Sequence, residues 1–217
     1  MIRNHGEKMS KNPVISFIGA GNMASSLIGG LIADGWDPGR IRVADPDPQQ
    51  TDQLAQRFSV TTTQDNHTAL QLADAVVLAV KPQVIKSVVG ELAEVIAAQR
   101  PLVISIAAGI RATTLRGWLG MDTAIVRTMP NTPALVQSGA TALFANPAVS
   151  EEQRNLAESV LRAVGLTLWV DDEDLMDAVT ALFGSGPAYF FLFMEAMQDA
   201  AIAMGLDEEL ARALTYQ

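Results

Sequence analysis

Residues 14–45 constrain the fold more than any other stretch: VISFIGAGNMASSLIGGLIADGWDPGRIRVAD. A β-branched run, Val14 to Ile18, meets Gly19-Ala20-Gly21-Asn22-Met23-Ala24, and a small-residue helical pattern follows through Ala33. That order is strand, tight turn, helix. Glycines belong in such a turn for a steric reason: a helix N-terminus and backbone N–H groups that must reach a pyrophosphate leave no room for Cβ atoms. Gly19 and Gly21 fill two of the three positions, and Ala24 takes the third, where a methyl group fits between helix and strand. Next comes a second strand, Ile41 to Ala44, ending at Asp45 somewhat beyond the ~20-residue spacing of a ribose-binding acid. A carboxylate there favours NADH, because it repels a 2′-phosphate. Arg40 and Arg42 lie nearby in sequence and weaken the preference, and the lesser alternative is that Asp45 merely caps a helix starting near Pro48.

Val14 to Ala33 is also nearly uncharged and follows Arg3, Lys8 and Lys11, the outline of a signal anchor. The central glycines and Asn22 argue against that reading, as does the strand–helix alternation that continues downstream, which belongs to a parallel sheet. Across 217 residues, 15 basic and 24 acidic side chains give a formal charge of −9. Nucleic acid and anionic membranes are therefore poor partners. The chain has no cysteine and two histidines, His5 and His67, which removes disulfides and thiolate metal sites and points to a cytoplasmic, metal-free protein. Residues 1–12 read as a flexible extension, with Met9 an alternative start.

Farther along, Pro48 to Phe58 has helical spacing and Val60 to Thr62 the character of a short strand. Gln64 to His67 reads as a polar turn before a helix at Thr68 to Leu72. Ala75 to Val80 is an apolar run typical of a buried parallel strand. It ends at Lys81-Pro82, with Pro82 expected in the first turn of a helix over Gln83 to Ala98 and Lys81 left at the strand's carboxyl end, where ligands of such sheets collect. Pro101 to Ile106, the small-residue turn Ala107-Ala108-Gly109, and a helix near Thr113 to Trp118 repeat the pattern. A strand at Thr123 to Arg127 runs into Met129-Pro130-Asn131-Thr132-Pro133, a rigid connection whose Asn131 and Thr132 offer hydrogen bonds, or a purely structural turn.

Strand, helix and strand follow at Ala140 to Phe144, Glu151 to Val164 and Leu166 to Val170. The run Asp171-Asp172-Glu173-Asp174 invites a divalent metal, but consecutive carboxylates cannot all face one point and fit a helix start better. After a helix at Leu175 to Phe183, Gly184-Ser185-Gly186-Pro187 is expected to break the chain before a long helix, Ala188 to Met204. That helix is apolar on most sides, through Phe190, Phe191, Phe193, Met194 and Met197, and asks for cover from a partner subunit. A last helix opens with Asp207 as N-cap and is still running at Gln217.

Five stretches together carry a resemblance: FIGAGNMA at 17–24, AVKPQ at 79–83, SIAAGI at 105–110, RTMPNTPALV at 127–136 and DAVTALFGSGPAYFF at 177–191. In this order they resemble the pyrroline-5-carboxylate reductases. The resemblance implies an α/β fold: an N-terminal Rossmann domain with a doubly wound, mostly parallel sheet (13–171), then an all-helical, incomplete dimerisation domain (172–217). It implies hydride transfer from NADPH or NADH to the imine of L-1-pyrroline-5-carboxylate, and a homodimer or larger homo-oligomer built through the C-terminal helices. Gly19, Ala20, Gly21, Asn22, Met23 and Ala24 would hold the pyrophosphate. Asn66, Ala79, Val80 and Lys81 would line the path to the nicotinamide, with Ala107 and Ala108 beside it. Glu173 matches a carboxylate near the substrate, joining Asn131 and Thr132 as substrate-side candidates.

The family's serine–proline–glycine–glycine–threonine carboxylate clamp lies past residue 217, so this sequence is expected to be either part of a longer protein or a truncated form with weak or no activity, and a truncated form is expected to be poorly soluble or to associate by swapping. Two other readings compete. A non-catalytic dinucleotide-binding protein would bind NAD(P)H without turnover. A β-hydroxyacid dehydrogenase would carry a lysine after the second glycine-rich segment, where this chain has Gly184-Ser185-Gly186-Pro187-Ala188-Tyr189-Phe190.

Overall fold

In the computed structural model, which describes residues 13–120 and 122–217, eight strands form one sheet. They are β1 (Ile15–Ile18), β2 (Ile41–Ala44), β3 (Thr61–Thr63), β4 (Ala75–Leu78), β5 (Leu102–Ser105), β6 (Ile125–Pro130), β7 (Gly139–Ala145) and β8 (Gly165–Trp169), in the spatial order β3-β2-β1-β4-β5-β6-β7-β8. All neighbours pair parallel except β6 and β7, which are antiparallel. The extension expected over residues 1–12 lies outside the described residues.

Every residue of β1, β4 and β5 is buried, because helices cover both faces of the sheet; this is why these strands read as unbroken apolar runs. Side chains alternate between two cores. Ile15, Phe17, Val77 and Ile104 meet Leu27, Ile28 and Leu31 of α1 (Asn22–Ala33), Leu54 of α2 (Pro48–Phe58) and Val160 and Leu161 of α6 (Glu151–Arg162). Ile18, Val76, Leu78 and Val103 face α3 (Asn66–Leu70), α4 (Ile85–Gln99) and α5 (Ala112–Leu119) through Leu70, Leu92, Ile96 and Leu115. The stretch with the outline of a signal anchor thus forms the buried centre of the sheet and the helix packed on it.

Two expected boundaries are corrected. Pro82 does not open α4. It sits second in a turn closed by Val84 N–H donating to the Lys81 carbonyl at 3.1 Å, the position proline's fixed φ suits, and the helix begins at Ile85. Nor does Gly184 to Pro187 interrupt the C-terminal helix. Between α7 (Leu175–Val179) and α8 (Gly186–Ala203) the chain widens into a π turn over Thr180–Gly184, with Ser185 N–H reaching back to Thr180 O at 2.9 Å. Pro187 stands in the first turn of α8, where a helix leaves its N–H groups unpaired in any case, and Leu175–Ala203 is one 29-residue helical run.

Helix α9 (Glu208–Tyr216), whose start is capped by Asp207 accepting from Leu210 N–H, packs beside α8. Together they leave Tyr189, Phe190, Phe191, Leu192 and Phe193 each more than half exposed. Leu175–Ala203 is long and apolar enough to cross a membrane, by length and composition alone.

Candidate active site

Parallel pairing brings the carboxyl ends of β1, β2, β3, β4, β5 and β6 to one edge of the sheet, and the turns that leave them form the site. Gly19 has φ +106, a conformation L side chains rarely adopt, and a Cβ on it would stand 2.6 Å from the Ala79 carbonyl oxygen. Glycine there is demanded by the fold. Gly21 differs: its φ is −68 and a Cβ would meet nothing within 4 Å. It is the N-cap of α1, and no side chain caps that helix. The first-turn N–H groups and the positive end of the helix therefore face an open concavity, an arrangement that suits an anion. Ala24 is buried against the sheet as its place in the fingerprint requires, Ala20 is buried, Met23 half-buried and Asn22 exposed.

Asp45 reaches back into this turn. One carboxylate oxygen accepts from Ala20 N–H at 2.8 Å and the other from Asp47 N–H at 2.9 Å. The cap of α2 is Asp47, which accepts from Gln49 N–H, so the capping alternative for Asp45 is corrected. The arginines that weakened its reading are also elsewhere. Arg42 donates to the Gln71 carbonyl, and Arg40 precedes β2, at the opposite edge of the sheet from the glycine turn.

Asn66 is the first residue of α3, and its neighbour Asp65 accepts from His67 N–H, Thr68 N–H and the Thr68 hydroxyl. Ala79 extends the β1–β4 ladder by donating to Ile18 O at 2.8 Å, and Lys81 follows it, exposed. Ala107 is buried and Ala108 exposed, on a loop that turns at Gly109 with φ +75. Asn131 Oδ1 accepts from Ala140 N–H at 2.9 Å and closes the β6–β7 connection, while Thr132, opening the 3-10 turn Thr132–Val136, is exposed. The glycine turn, Asp45, Asn66, Ala79 to Lys81, Ala107, Ala108, Asn131 and Thr132 thus gather on one edge.

Glu173 is buried beside the same edge, at the start of α5. Its Oε1 accepts from Ala112 N–H at 2.6 Å and from Arg127 Nη1 at 3.1 Å. Arg127, itself buried in β6, also donates to Asp177 at 3.4 Å, and Arg111 pairs with Asp174. That hydrogen bond with Asp174 holds the Arg111 guanidinium above its usual pKa. Within the run Asp171 to Asp174, Glu173 accepts from Ala112 and Asp174 pairs with Arg111, and no group of three or more His, Cys, Asp or Glu among the described residues is placed to hold a metal. Arg127 and Asp177 were missed as functional candidates. An arginine inside an otherwise apolar strand was the available signal, since a buried cation demands a partner.

Residues 14–109 match a family described as NADP oxidoreductase coenzyme F420-dependent, and residues 173–217 one described as pyrroline-5-carboxylate reductase dimerisation. A pyrroline-5-carboxylate reductase of Pseudomonas aeruginosa is 51% identical over 205 residues, covering 94% of this chain and 75% of that protein. One from Arabidopsis thaliana is 39% identical, covering 94% and 73%. Among solved structures, a pyrroline-5-carboxylate reductase from Coxiella burnetii superposes with a TM-score of 0.91 at 50% identity, over 95% of this chain and 77% of that one. Plasmodium falciparum pyrroline carboxylate reductase with NADP bound gives 0.85 at 29% identity, over 95% and 75%.

Proposed function

The chain belongs to the pyrroline-5-carboxylate reductase family, and from that membership we propose how its own residues serve the reaction, NAD(P)H-dependent reduction of L-1-pyrroline-5-carboxylate to L-proline. The observation that carries the reading is the contrast between Gly19, which the fold itself requires, and Gly21, whose missing side chain opens the uncapped start of α1. Such a concavity fits a dinucleotide's pyrophosphate. When bound, the reduced nicotinamide supplies a hydride to the imine carbon, and the nitrogen carries the proton of the product amine.

Gly19, Ala20, Gly21, Asn22, Met23 and Ala24 cradle the pyrophosphate; the N–H groups of Gly19 and Ala20 are spent on the Ala44 carbonyl and Asp45, so those at the uncapped start of α1 do the holding. Asp45 shapes that turn and lies where the adenosine ribose would be read. Asn66, Ala79, Val80 and Lys81 line the way to the nicotinamide, and the small side chains of Ala107 and Ala108 let a flat ring lie against the backbone. Asn131 and Thr132 are the substrate-side candidates. Reduction of a protonated imine asks chiefly for close, fixed placement of donor and acceptor, which rigid strand ends supply. Glu173, matched by resemblance to a family carboxylate near the substrate, already serves two donors in the protein.

We divide the chain into a dinucleotide-binding domain over 13–171 and a helical domain over 172–217, through which two copies associate as a homodimer. The exposed apolar face of α8 and the dimerisation match over 173–217 support this. The acidic, cysteine-free composition supports a cytoplasmic location. The test is oxidation of NADH and of NADPH in the presence and absence of L-1-pyrroline-5-carboxylate, with proline measured as product. Cofactor that binds but is never consumed by the imine overturns the reading.

A further inference from the structure

The loop from β5 to α5, residues 106–111, carries Ala107 and Ala108. At its start it is held twice: the Ser105 carbonyl accepts from the Thr128 hydroxyl at 3.1 Å, and Ser105 Oγ accepts from Ala107 N–H at 3.4 Å. At its end, α5 opens at Ala112 after an Arg111 N-cap that supplies no side-chain hydrogen bond. The first N–H of the helix is taken instead by Glu173, 61 positions along the chain. Arg127, one strand over and paired in register with Ser105, orients that carboxylate.

We propose that Glu173 is a positioning residue for the nicotinamide end of the site. It acts through the loop: by accepting the Ala112 N–H it fixes the far end of the segment on which Ala107 and Ala108 sit. Arg127 and Glu173 make up a buried ion pair, which in general can be exchanged for uncharged side chains at little cost. The acceptor for Ala112 cannot be exchanged so simply, because a buried N–H without a partner is costly. Glu173 also begins the helical segment, and Arg111 pairs with the adjacent Asp174. Loop and helical segment are therefore registered to each other through one side chain. This inference rests on the assignment of Ala107 and Ala108 to the nicotinamide.

Two double variants in the full chain test it. Arg127→Met with Glu173→Gln removes both buried charges but keeps an acceptor for Ala112; Arg127→Met with Glu173→Ala removes the charges and the acceptor. Neither leaves an uncompensated buried charge, so both are suited to fold. Affinity for NADH and NADPH is read by fluorescence, and affinity for ADP-ribose and 2′-phospho-ADP-ribose, which lack the nicotinamide, by calorimetry. The glutamine variant is expected to bind the whole cofactors within about threefold of wild type. The alanine variant should lose roughly tenfold on them, the scale of one buried hydrogen bond, with adenosine-half binding unchanged. Equal behaviour of the two variants, or equal loss on whole cofactor and adenosine half, overturns the positioning role. Wild-type protein that fails to bind NADH and NADPH overturns the cofactor reading instead, a distinguishable result.

Discussion

Ala20 donates its backbone N–H to the Asp45 carboxylate across 2.8 Å, which makes the glycine turn and the end of β2 one unit. An acid placed only to read a ribose would be dispensable to the folded protein without cofactor. Asp45 also holds Asp47 N–H; Asp45→Ala leaves that exposed donor to water but orphans the part-buried Ala20 N–H. The expected cost is about 1–3 kcal/mol of stability, seen as a lower Tm before any cofactor is added, together with weaker NADH binding. An unchanged Tm would reduce Asp45 to a ligand contact.

Gly19 and Gly21 lie two residues apart and should respond in opposite ways. Gly19→Ala must adopt φ +106 and press a methyl on the Ala79 carbonyl, a strain on the order of 1–3 kcal/mol before the clash is counted. Gly21→Ala has an ordinary φ and open space, and its gain in chain stiffness is offset by alanine's poor fit at an N-cap, so stability should stay within about 1 kcal/mol, while NAD(P)H binding falls by at least tenfold. Thermal melting beside cofactor titration separates the two effects. Equal loss of stability in both variants would refute the assignment.

The parts legible in the sequence were those whose cause is local. The apolar runs of β1, β4 and β5, the glycine turn and the Asp207 cap each follow from neighbouring residues. The rest is set by tertiary contacts. Nothing near Arg127 names Glu173, 46 positions away, as its partner, and only the β1–β2 register turns Asp45 back on Ala20. Gly184-Ser185-Gly186-Pro187 has the composition of a breaker, yet packing against the end of β6, where a Cβ on Gly184 would lie 2.5 Å from Met129 Cε, keeps the helix going through a π turn. The substrate-side candidates Asn131 and Thr132 came from a loop's hydrogen-bonding capacity, and the structure shows Asn131 spending part of it on Ala140.

Removing Glu173 alone leaves the Arg127 cation buried with only Asp177, exposed and 3.4 Å away, as partner. Glu173→Ala is expected to cost about 3–5 kcal/mol in urea unfolding, whereas Arg127→Met with Glu173→Gln should lie within about 1–2 kcal/mol of wild type. Arg127→Met and Glu173→Gln, made singly and together, form a double-mutant cycle whose coupling energy, on the order of 1–3 kcal/mol, measures the pair. Additive losses would show that the two side chains do not interact.

Asp65 gives the candidate site an acid-sensitive corner. The Thr68 hydroxyl, then the backbone N–H groups of Thr68 and His67, hold its carboxyl below the usual aspartate value of 3.8. A carboxyl depressed by folding contributes its full stabilisation above the unfolded value and loses it as pH falls through the lower folded one. The first turn of α3, which begins at Asn66, should therefore loosen only below pH 3.8. Thr68→Val removes the largest cause and should move the Asp65 titration upward, as read from its side-chain carbon resonance. A titration that stays in place would sink this account.

The apolar face of α8 makes the last prediction. Phe190 and Phe193 are 71% and 63% exposed, and burying side chains of this kind is worth about 1.5–3 kcal/mol each. A second copy meeting them with its own α8 gains that twice, because a two-fold interface counts each residue on both subunits. Phe193→Asp places a charge in the middle of such a contact and removes the gain on both sides. Sedimentation should show wild type at twice the chain mass at micromolar concentration and the variant shifted toward one chain mass, with the Rossmann core still melting cooperatively. A wild type that sediments as a single chain would leave the face of α8 without the partner proposed for it.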